Sequence, residues 1–370
     1  MTIRRMTAWL LLLVLAPAAA LAGGTWISVT DDLAPETLFP AEEQYSGTVT
    51  ITFLGDCTLG GEEKTDRSSI GFARRVEENG MDFPFRGLKA LTETDDLTVA
   101  NLEVVLTDRK LKKEKKKFNF KGSTAYTEIL ALGSIECVTI ANNHTHDYGD
   151  EGYADTKQAL DTAGIAWFGT EKPVIWQSDN GVMIGFLGVN YSLTGNRYKR
   201  YAAQAERLRE LGCAAVITVM HAGEEYSYSP PDAYQEQIVS RAEACGCDLV
   251  IGHHPHVLQG LAMVGSMPVV YSLGNCSFGG TTYAKDPDAL AVRAELTFRE
   301  GKPAGMDLTF YPISITSDSH YNNYSPRLLS GEEAEKVLKK MAETTGTDPG
   351  KRNPDGSATV HILPDGEISP

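Results

Sequence analysis

VIGHHPHVLQ, residues 250–259, is the most informative part of the sequence because it joins an apolar strand pattern to a cluster of histidines. His253, His254 and His256 are three of the eight histidines in the chain. An apolar strand that ends in such residues predicts an α/β fold whose ligands collect at the carboxyl edge of a sheet. Since imidazole is the commonest side-chain metal ligand, the stretch also predicts a metal site at that edge.

Apolar, β-branched runs alternate with helical patterns along most of the chain, which is typical of an α/β fold. The predicted strands are residues 48–54, 97–100, 137–141, 181–189, 214–220, 248–251 and 267–272. The predicted helices are residues 70–78, 85–93, 124–132, 152–163, 198–211 and 232–244. Two patterns indicate β-hairpins, residues 173–177 with 181–189 and residues 291–298 with 306–313. Strands of both kinds predict more than one sheet.

The ends of the chain show other patterns. Residues 1–22 hold two arginines, an apolar run and small residues before Gly23, which is typical of a secretory signal peptide. The same residues are also near the lower length limit for an uncleaved membrane anchor. We therefore expect an extracytoplasmic protein, either secreted or anchored to the outer face of the cytoplasmic membrane. We interpret residues 23–45 as a linker, 46–328 as one domain, and 329–370 as a helix with a loose tail.

The charge of the chain bears on its partners. The formal net charge is −15 at pH 7, which disfavours nucleic acid, and no nucleic-acid partner is expected. Residues 110–117, called the lysine run below, are the exception, with six lysines in eight positions. The lysine run is either a solvated loop or hairpin edge, or a site that captures an anionic polymer of the cell wall.

Six cysteines in 370 residues are too few for a disulfide scaffold. Cys213 and Cys247 each precede a predicted strand, and in an exported protein they form either a disulfide or two buried thiols. Cys57 and Cys276 lie near the predicted site, and we interpret them as small buried hydrophobic side chains.

Polar residues of the kinds that bind metals follow six predicted strands. In chain order they are Asp56; Asn101 and Glu103; Asn142, Asn143, His144, His146 and Asp147; His221, Glu224 and Glu225; His253, His254 and His256; and Asn275. Carboxylate, amide and imidazole together suit Mn, Zn or Fe better than Ca or Mg, which prefer oxygen alone. We therefore expect a divalent transition metal, one or two ions, at the sheet edge.

The order and spacing of these motifs resemble the bacterial CapA family of poly-γ-glutamate capsule synthesis proteins. The motifs are GDCTLG (55–60), NLE (101–103), ANNHTHDYG (141–149), MHAGEEY (220–226), GHHPHVLQ (252–259) and YSLGN (271–275). That family is similar to the calcineurin-like metallophosphoesterases. The resemblance implies a four-layer α/β/β/α sandwich of two mixed β-sheets flanked by helices.

The resemblance also implies roles for individual residues. The expected metal ligands are Asp56, Glu103, Asn143, His221, His254 and His256, with Glu103 in the place of a bridging carboxylate. The expected catalytic residues are His144, which steadies or protonates the leaving oxygen, with Asp147 and Glu224. Glu224 and Glu225 are expected to orient the histidines, and Asn275 to lie beside the ligands.

One position departs from the metallophosphoesterase pattern. Those enzymes usually carry a histidine two residues after the first aspartate, where this chain has Thr58. Either His253 or His146 replaces that imidazole, or nothing does. The departure leaves both the number of metals and catalytic activity open.

Three functions follow from these observations. The first is a metal-dependent hydrolase acting on a phosphoester or on an amide of a cell-envelope polymer. The second is a non-catalytic component of a capsule synthesis or export complex, which binds the polymer or membrane subunits. The third is a plain binding protein with a single structural metal.

Overall fold

The computed structural model describes residues 23–30, 32–35, 38 and 46–369. The predicted signal peptide or anchor, residues 1–22, lies outside the described residues. In the part of the chain that is described, no helix has both the length and the apolar character needed to cross a membrane.

The predicted helices and strands are present, with bounds that differ by a few residues. The helices are α1 (Glu63–Asp66), α2 (Phe72–Asn79), α3 (Lys89–Thr92), α4 (Thr127–Leu132), α5 (Gly149–Ala163), α6 (Gly195–Glu210), α7 (Ala233–Ala244) and α8 (Gly331–Thr345). Short 3-10 turns, Arg86–Leu88 and Thr124–Tyr126, precede α3 and α4.

The strands are more numerous than predicted. They are β1 (Thr25–Ser28), β2 (Gly47–Thr58), β3 (Leu97–Leu102), β4 (Val105–Leu106), β5 (Lys121–Gly122), β6 (Cys137–Thr139), β7 (Ala166–Phe168), β8 (Val174–Gln177), β9 (Met183–Asn190), β10 (Ala215–His221), β11 (Leu249–His253), β12 (Leu258–Val264), β13 (Met267–Leu273), β14 (Asn275–Phe278), β15 (Asp288–Arg299), β16 (Lys302–Ser314), β17 (Arg327–Leu328), β18 (Lys351–Arg352), β19 (Ala358–Ile362) and β20 (Ile368–Ser369).

Most strands belong to two large sheets. One has the order β1-β8-β9-β10-β11-β13-β12, and the other has the order β18-β19-β16-β15-β2-β3-β6-β7 with β14, β17 and β20 beside it. Each sheet contains a run of parallel strands, β9-β10-β11-β13 in one and β2-β3-β6-β7 in the other. Each also contains antiparallel pairs, which include the two predicted hairpins β8-β9 and β15-β16. Both sheets are therefore mixed, as predicted.

Side-chain alternation along the strands produces the layers. Neighbouring residues of a strand point to opposite faces of its sheet. Phe53 and Phe186, one from each sheet, pack in the apolar cluster between the sheets. Leu54 packs instead in a second cluster with residues of α2 to α5, and Leu187 packs in a third cluster with residues of α6 and α7. The order of layers is helices, sheet, sheet, helices, which confirms the predicted four-layer α/β/β/α sandwich.

The segment expected to be a linker contains a strand. Thr25–Ser28 pairs antiparallel with β8, and the ring of Trp26 lies 6.4 Å from that of Phe186. The strand has only four residues, so its alternation is too short to stand out in the sequence.

The expectation of a loose C-terminal tail is wrong for residues 358–362. β19 pairs antiparallel with β16, and Ala358, Val360 and Ile362 are buried. These three residues alternate with Thr359 and His361, so they present one apolar face to the core. Helix α8 covers the same cluster with Val337, Leu338 and Met341.

All six cysteines are free thiols. Cys213 and Cys247, for which a disulfide was one of two expectations, are both buried and unbridged. Burial raises the pKa of the Cys213 thiol to about 12, so this thiol stays protonated at neutral pH.

Candidate metal centre

The parallel strands of both sheets bring their polar ends to one place. Asp56 at the end of β2 pairs with Asn101 of β3 on one side and with Asn275 of β14 on the other. In the second sheet, His221 at the end of β10 pairs with His253 at the end of β11. The main-chain N–H of His254 donates to Asp56 Oδ2 at 3.2 Å and so connects the two edges.

Two groups of buried side chains have the geometry of metal sites. Glu103, His221 and His254 each offer a ligand atom, and these atoms lie within 4.8 Å of one another. Asp56, Glu103 and His256 form a second group of the same kind. We call these two groups together the metal centre. Glu103 belongs to both groups.

The carboxylate of Glu103 provides a test of whether these residues fit a metal. Its side chain is fully buried, and neither carboxylate oxygen has a hydrogen-bond partner. Burial, together with the nearby charge of Asp56, raises the pKa of Glu103 well above its ordinary value. A buried carboxylate without partners is costly unless a cation or a proton compensates for it. The residues present therefore fit a bound cation.

Asn143 completes the group around His221. Its Oδ1 atom lies 2.9 Å from His221 Nε2, and the same Nε2 lies 3.5 Å from Glu103 Oε1 and 3.1 Å from His254 Nδ1. Burial, together with the neighbouring imidazole of His254, holds the pKa of His221 well below its ordinary value. A neutral imidazole in that position has the lone pair that a metal ligand requires.

Asp56 is held in its charged form. Burial alone would raise the pKa of Asp56, but the adjacent imidazoles of His253 and His256 outweigh burial and lower the pKa well below its ordinary value. The imidazole Nδ1 atoms of His253 and His256 each lie 3.2 Å from a carboxylate oxygen of Asp56. Asn101 Nδ2 donates to Asp56 Oδ1 at 2.7 Å.

The two histidines on either side of Pro255 adopt an unusual backbone. His254 has φ 97° and His256 has φ 58°, in the region that side chains other than glycine rarely occupy. Backbone strain of this kind clusters at functional sites, where the surrounding structure maintains it. Here it turns both imidazoles toward Glu103. Asn275 Oδ1, at 2.9 Å from His256 Nδ1, fixes the second ring.

His254 and His256 have opposite pKa shifts. Burial and the neighbouring charge of His256 lower the pKa of His254 to about 4. Burial would also lower the pKa of His256, but the carboxylates of Glu103 and Asp56 raise it to about 9. A proton on His256 therefore balances part of the negative charge whenever no cation is bound.

His144 lies at the edge of the metal centre with a fixed orientation. Its Nδ1 atom is 2.7 Å from Asp147 Oδ2, and its Nε2 atom points inward, 3.8 Å from Glu103 Oε1. The ring of Phe120 stacks on the imidazole with a centroid distance of 4.2 Å. Burial lowers the pKa of His144, although the hydrogen bond to Asp147 opposes that shift. His144 is therefore neutral at pH 7, with the Nε2 lone pair directed into the centre.

The lysine run reaches the metal centre through one residue. Residues 110–117 lie in the loop between β4 and β5, with no helix or strand of their own. Lys116 Nζ forms an ion pair with the fully buried Asp147 and donates to the main-chain oxygen of Asn143 at 2.8 Å. The sequence did not predict this contact, since nothing distinguishes Lys116 from its five neighbours.

Three expected site residues take other places. His146 is exposed and lies beside Asp150 and Tyr153. Glu224 and Glu225 are exposed in the loop after β10, so they are not the groups that orient the buried histidines. Asp56, Asn101 and Asn275 do that instead, although the charge of Glu225 still contributes to the raised pKa of His256.

Thr58 stands where the metallophosphoesterases usually carry a histidine, two residues after the first aspartate. Thr58 is fully buried, and its hydroxyl donates to the main-chain oxygen of Glu103 at 3.1 Å. His253 lies against Asp56 and is not part of either ligand group. Thr58 therefore positions the shared carboxylate through its backbone, and His253 supports Asp56.

Two amides that were expected only as strand-end residues form a connected pair. Asn142 Nδ2 donates to Asn101 Oδ1 at 3.0 Å and to the main-chain oxygen of Leu102 at 2.8 Å. Asn142 Oδ1 accepts from the main-chain N–H of His144 at 3.0 Å. The pair links the loop that carries His144 to Asp56. In the sequence, the only indication of this contact is that both asparagines follow neighbouring predicted strands.

Comparison with known proteins places the same region in a family. Residues 50–279 match the family model described as bacterial capsule synthesis protein PGA_cap. The chain is 26% identical over 328 residues to "Capsule biosynthesis protein CapA" of Bacillus anthracis, covering 82% of this chain and 75% of that protein. It is 29% identical over 274 residues to "PGA biosynthesis protein CapA" of Bacillus subtilis, covering 67% and 68%. One solved structure aligns with 68% of this chain at a TM-score of 0.38 and 13% identity, a similarity too weak to bear on fold or function.

Proposed function

The chain belongs to the bacterial capsule synthesis protein family PGA_cap, and on that premise we propose that it is an exported, metal-dependent phosphoester hydrolase of cell-envelope polymer biosynthesis. The single observation that supports the catalytic part is the buried, unpartnered carboxylate of Glu103, shared by two groups of ligand-type side chains. Export is supported by the pattern of residues 1–22.

The residues of the metal centre form two groups, each of which would hold one cation. Glu103, Asn143, His221 and His254 would hold one cation, and Asp56, Glu103 and His256 would hold the other. A pair of divalent cations stabilises the charge on both the attacking and the leaving oxygen of a phosphoryl transfer. Mn, Zn and Fe all suit this mixture of carboxylate, amide and imidazole ligands.

His144 is placed to move a proton at the edge of the metal centre. Its hydrogen bond to Asp147 is satisfied when Nδ1 carries the proton, which leaves the Nε2 lone pair facing the centre. His144 Nε2 can take up a proton and deliver it to a leaving oxygen. Asp147 and Phe120 hold the ring in that orientation, one by a hydrogen bond and the other by stacking. Geometry of this kind is what general acid–base catalysis requires.

Hydrolysis of p-nitrophenyl phosphate and bis(p-nitrophenyl) phosphate by the metal-loaded protein tests the proposal. Glu136 provides a matched control for Glu103. It is also a buried glutamate, but it directly precedes β6 and lies outside the metal centre. We expect hydrolysis that falls at least 100-fold in Glu103→Gln and persists in Glu136→Gln. A metal-loaded protein that hydrolyses neither compound would contradict the proposal.

A second function, binding of an anionic polymer without catalysis, is favoured by one observation. Lys112, Lys113, Lys115 and Lys117 are exposed on the loop that Lys116 anchors to Asp147. This places positive charge beside the centre of a chain whose net charge is −15. Calorimetric titration with polyglutamate compares the two functions. If polymer binding disappears when these four lysines become serine, but no phosphoester is hydrolysed, the second function holds.

A further inference from the structure

Two half-exposed tyrosines border the metal centre. Tyr191 follows β9 and is 47% exposed, whereas Tyr226 lies in the loop after β10 and is 38% exposed. The ring centroid of Tyr191 is 6.1 Å from that of His254, and the centroid of Tyr226 is 6.2 Å from that of His256. Each tyrosine therefore stands beside one of the two ligand groups.

Both tyrosines have a left-handed backbone. Tyr191 has φ 65° and Tyr226 has φ 61°, which is costly for a bulky residue. The main-chain N–H of Tyr191 donates to the oxygen of His221 at 3.1 Å, and that of Tyr226 donates to the oxygen of Pro255 at 2.8 Å. The same loops that carry the ligands thus hold the tyrosines in place. A strained backbone that points an apolar ring partly into solvent favours a binding role over a packing role.

Space for a ligand adjoins Tyr191. A cavity of about 250 Å³ is lined by Tyr191, Arg197 and the ion pair that Arg200 forms with Glu171 at 3.0 Å. A cavity of roughly 150 Å³ is enough to hold benzene. Beside the second tyrosine, the Lys285 ammonium lies 4.1 Å from the ring centroid of Tyr226. The two tyrosines therefore offer flat apolar surface, with open volume beside Tyr191 and positive charge beside Tyr226.

We infer that Tyr191 and Tyr226 bind the alcohol half of the phosphoester, and that this half carries a flat ring. The inference rests on the proposed hydrolase function and adds the substrate class. The face of a tyrosine ring packs well against another flat ring and contributes little to the binding of a small, ringless alcohol. The ring is that of an aromatic base or the apolar face of a sugar, which share this flat chemistry.

Binding of non-hydrolysable phosphonates to the metal-loaded protein tests the inference without requiring turnover. Isothermal titration compares methylphosphonate, phenylphosphonate and cyclohexylphosphonate, which carry the same charged group. We expect phenylphosphonate to bind about tenfold more tightly than methylphosphonate. Tyr191→Ala and Tyr226→Ala should each reduce that ratio to threefold or less and leave methylphosphonate binding unchanged. Equal affinity for phenyl- and cyclohexylphosphonate indicates a sugar, and tighter phenylphosphonate binding indicates an aromatic base.

The control is Tyr234→Ala, because Tyr234 is 58% exposed but lies in the first turn of α7. This variant should keep the tenfold ratio. The inference is overturned if the wild-type protein binds methyl- and phenylphosphonate equally. It is also overturned if neither Tyr191→Ala nor Tyr226→Ala changes the ratio of the two affinities. If methylphosphonate does not bind at all, the proposed hydrolase function fails and the inference fails with it. The metal content of each variant, measured in parallel, shows that the centre is intact.

Discussion

The main-chain N–H of His254 donates a hydrogen bond to Asp56 Oδ2 across the junction of the two sheets. Asp56 ends a strand of one sheet, and His254 follows a strand of the other. The hydrogen bond therefore ties the stability of the sheet junction to the residues of the metal centre. Because the acceptor is a buried, charged carboxylate, this bond is stronger than one between neutral groups.

The first prediction concerns this junction. Asp56→Asn removes the negative charge that faces His253 and His256 and weakens the bond to His254. We expect the metal-free variant to lose about 1.5–3 kcal/mol of unfolding free energy, as for other buried hydrogen bonds to charged groups. Urea denaturation in the presence of a chelator measures the loss. A variant as stable as the wild type would show that the junction is held elsewhere.

The second prediction concerns Lys116. Lys116→Ala removes the ion pair with Asp147 and the hydrogen bond to the main-chain oxygen of Asn143. We expect kcat for phosphoester hydrolysis to fall about tenfold, which corresponds to roughly 1.4 kcal/mol of transition-state stabilisation. Metal content should stay the same, since Lys116 is not a ligand. Lys116→Arg should recover part of the activity.

Lys115 is the matched control for that experiment. It is exposed and belongs to the same lysine run. Lys115→Ala should leave kcat unchanged. If the two alanine variants behave alike, the contact between Lys116 and Asp147 has no part in catalysis.

The third prediction concerns pH and Glu136. Burial raises the pKa of Glu136 to about 7, above its ordinary value of 4.5. Between these values the folded state binds more protons than the unfolded state, so stability falls as pH rises from about 4.5 to 7. The loss is complete above pH 7 and absent below pH 4.5.

Glu136→Gln removes this charge and keeps an oxygen that can accept from the main-chain N–H of Thr98, as Glu136 Oε2 does at 2.8 Å. We expect the variant to be more stable than the wild type by on the order of 2 kcal/mol at pH 8, and equally stable at pH 4.5. Denaturant midpoints across that pH range provide the measurement. A stability difference that does not change with pH would contradict the assigned pKa.

The fourth prediction concerns removal of the metal. A cation that binds only the folded state stabilises it by about 2.7 kcal/mol when its concentration is one hundred times its dissociation constant. A chelator should therefore lower the melting temperature of the wild-type protein, and added Mn or Zn should restore it. In Glu103→Gln, where the shared carboxylate is lost, both treatments should change the melting temperature less than in the wild type.

The sequence predicted the edge where the metal centre lies, because polar residues directly follow apolar strands at Asp56, Glu103, His221 and His253. Parallel strands necessarily bring such ends together. The residue pattern alone does not separate His253 from His254, since adjacent residues after a strand differ in direction only once the backbone is known; the family resemblance is what assigned the ligand role to His254. The left-handed φ of His254 turns its ring toward Glu103 and leaves His253 on Asp56.

Long-range contacts explain most of the remaining differences between the predicted and the observed structure. Lys116 reaches Asp147 because the loop between β4 and β5 folds over it, with the main-chain N–H of Phe120 donating to Asp147 Oδ2 at 2.6 Å. No local pattern indicates which lysine is placed there. The apolar alternation of β19 was present in the sequence, but nearby glycine and proline residues obscured it. Its pairing partner, β16, is more than forty residues away in the chain.

The central claim is that Glu103 joins two metal positions in one centre. The most direct test is the number of transition-metal ions per chain, measured by elemental mass spectrometry after dialysis, for the wild type, Glu103→Gln and Glu136→Gln. We predict two ions in the wild type and in Glu136→Gln, and one or none in Glu103→Gln. A wild-type protein that retains no transition metal, or a Glu103→Gln variant that retains as much as the wild type, would contradict the claim.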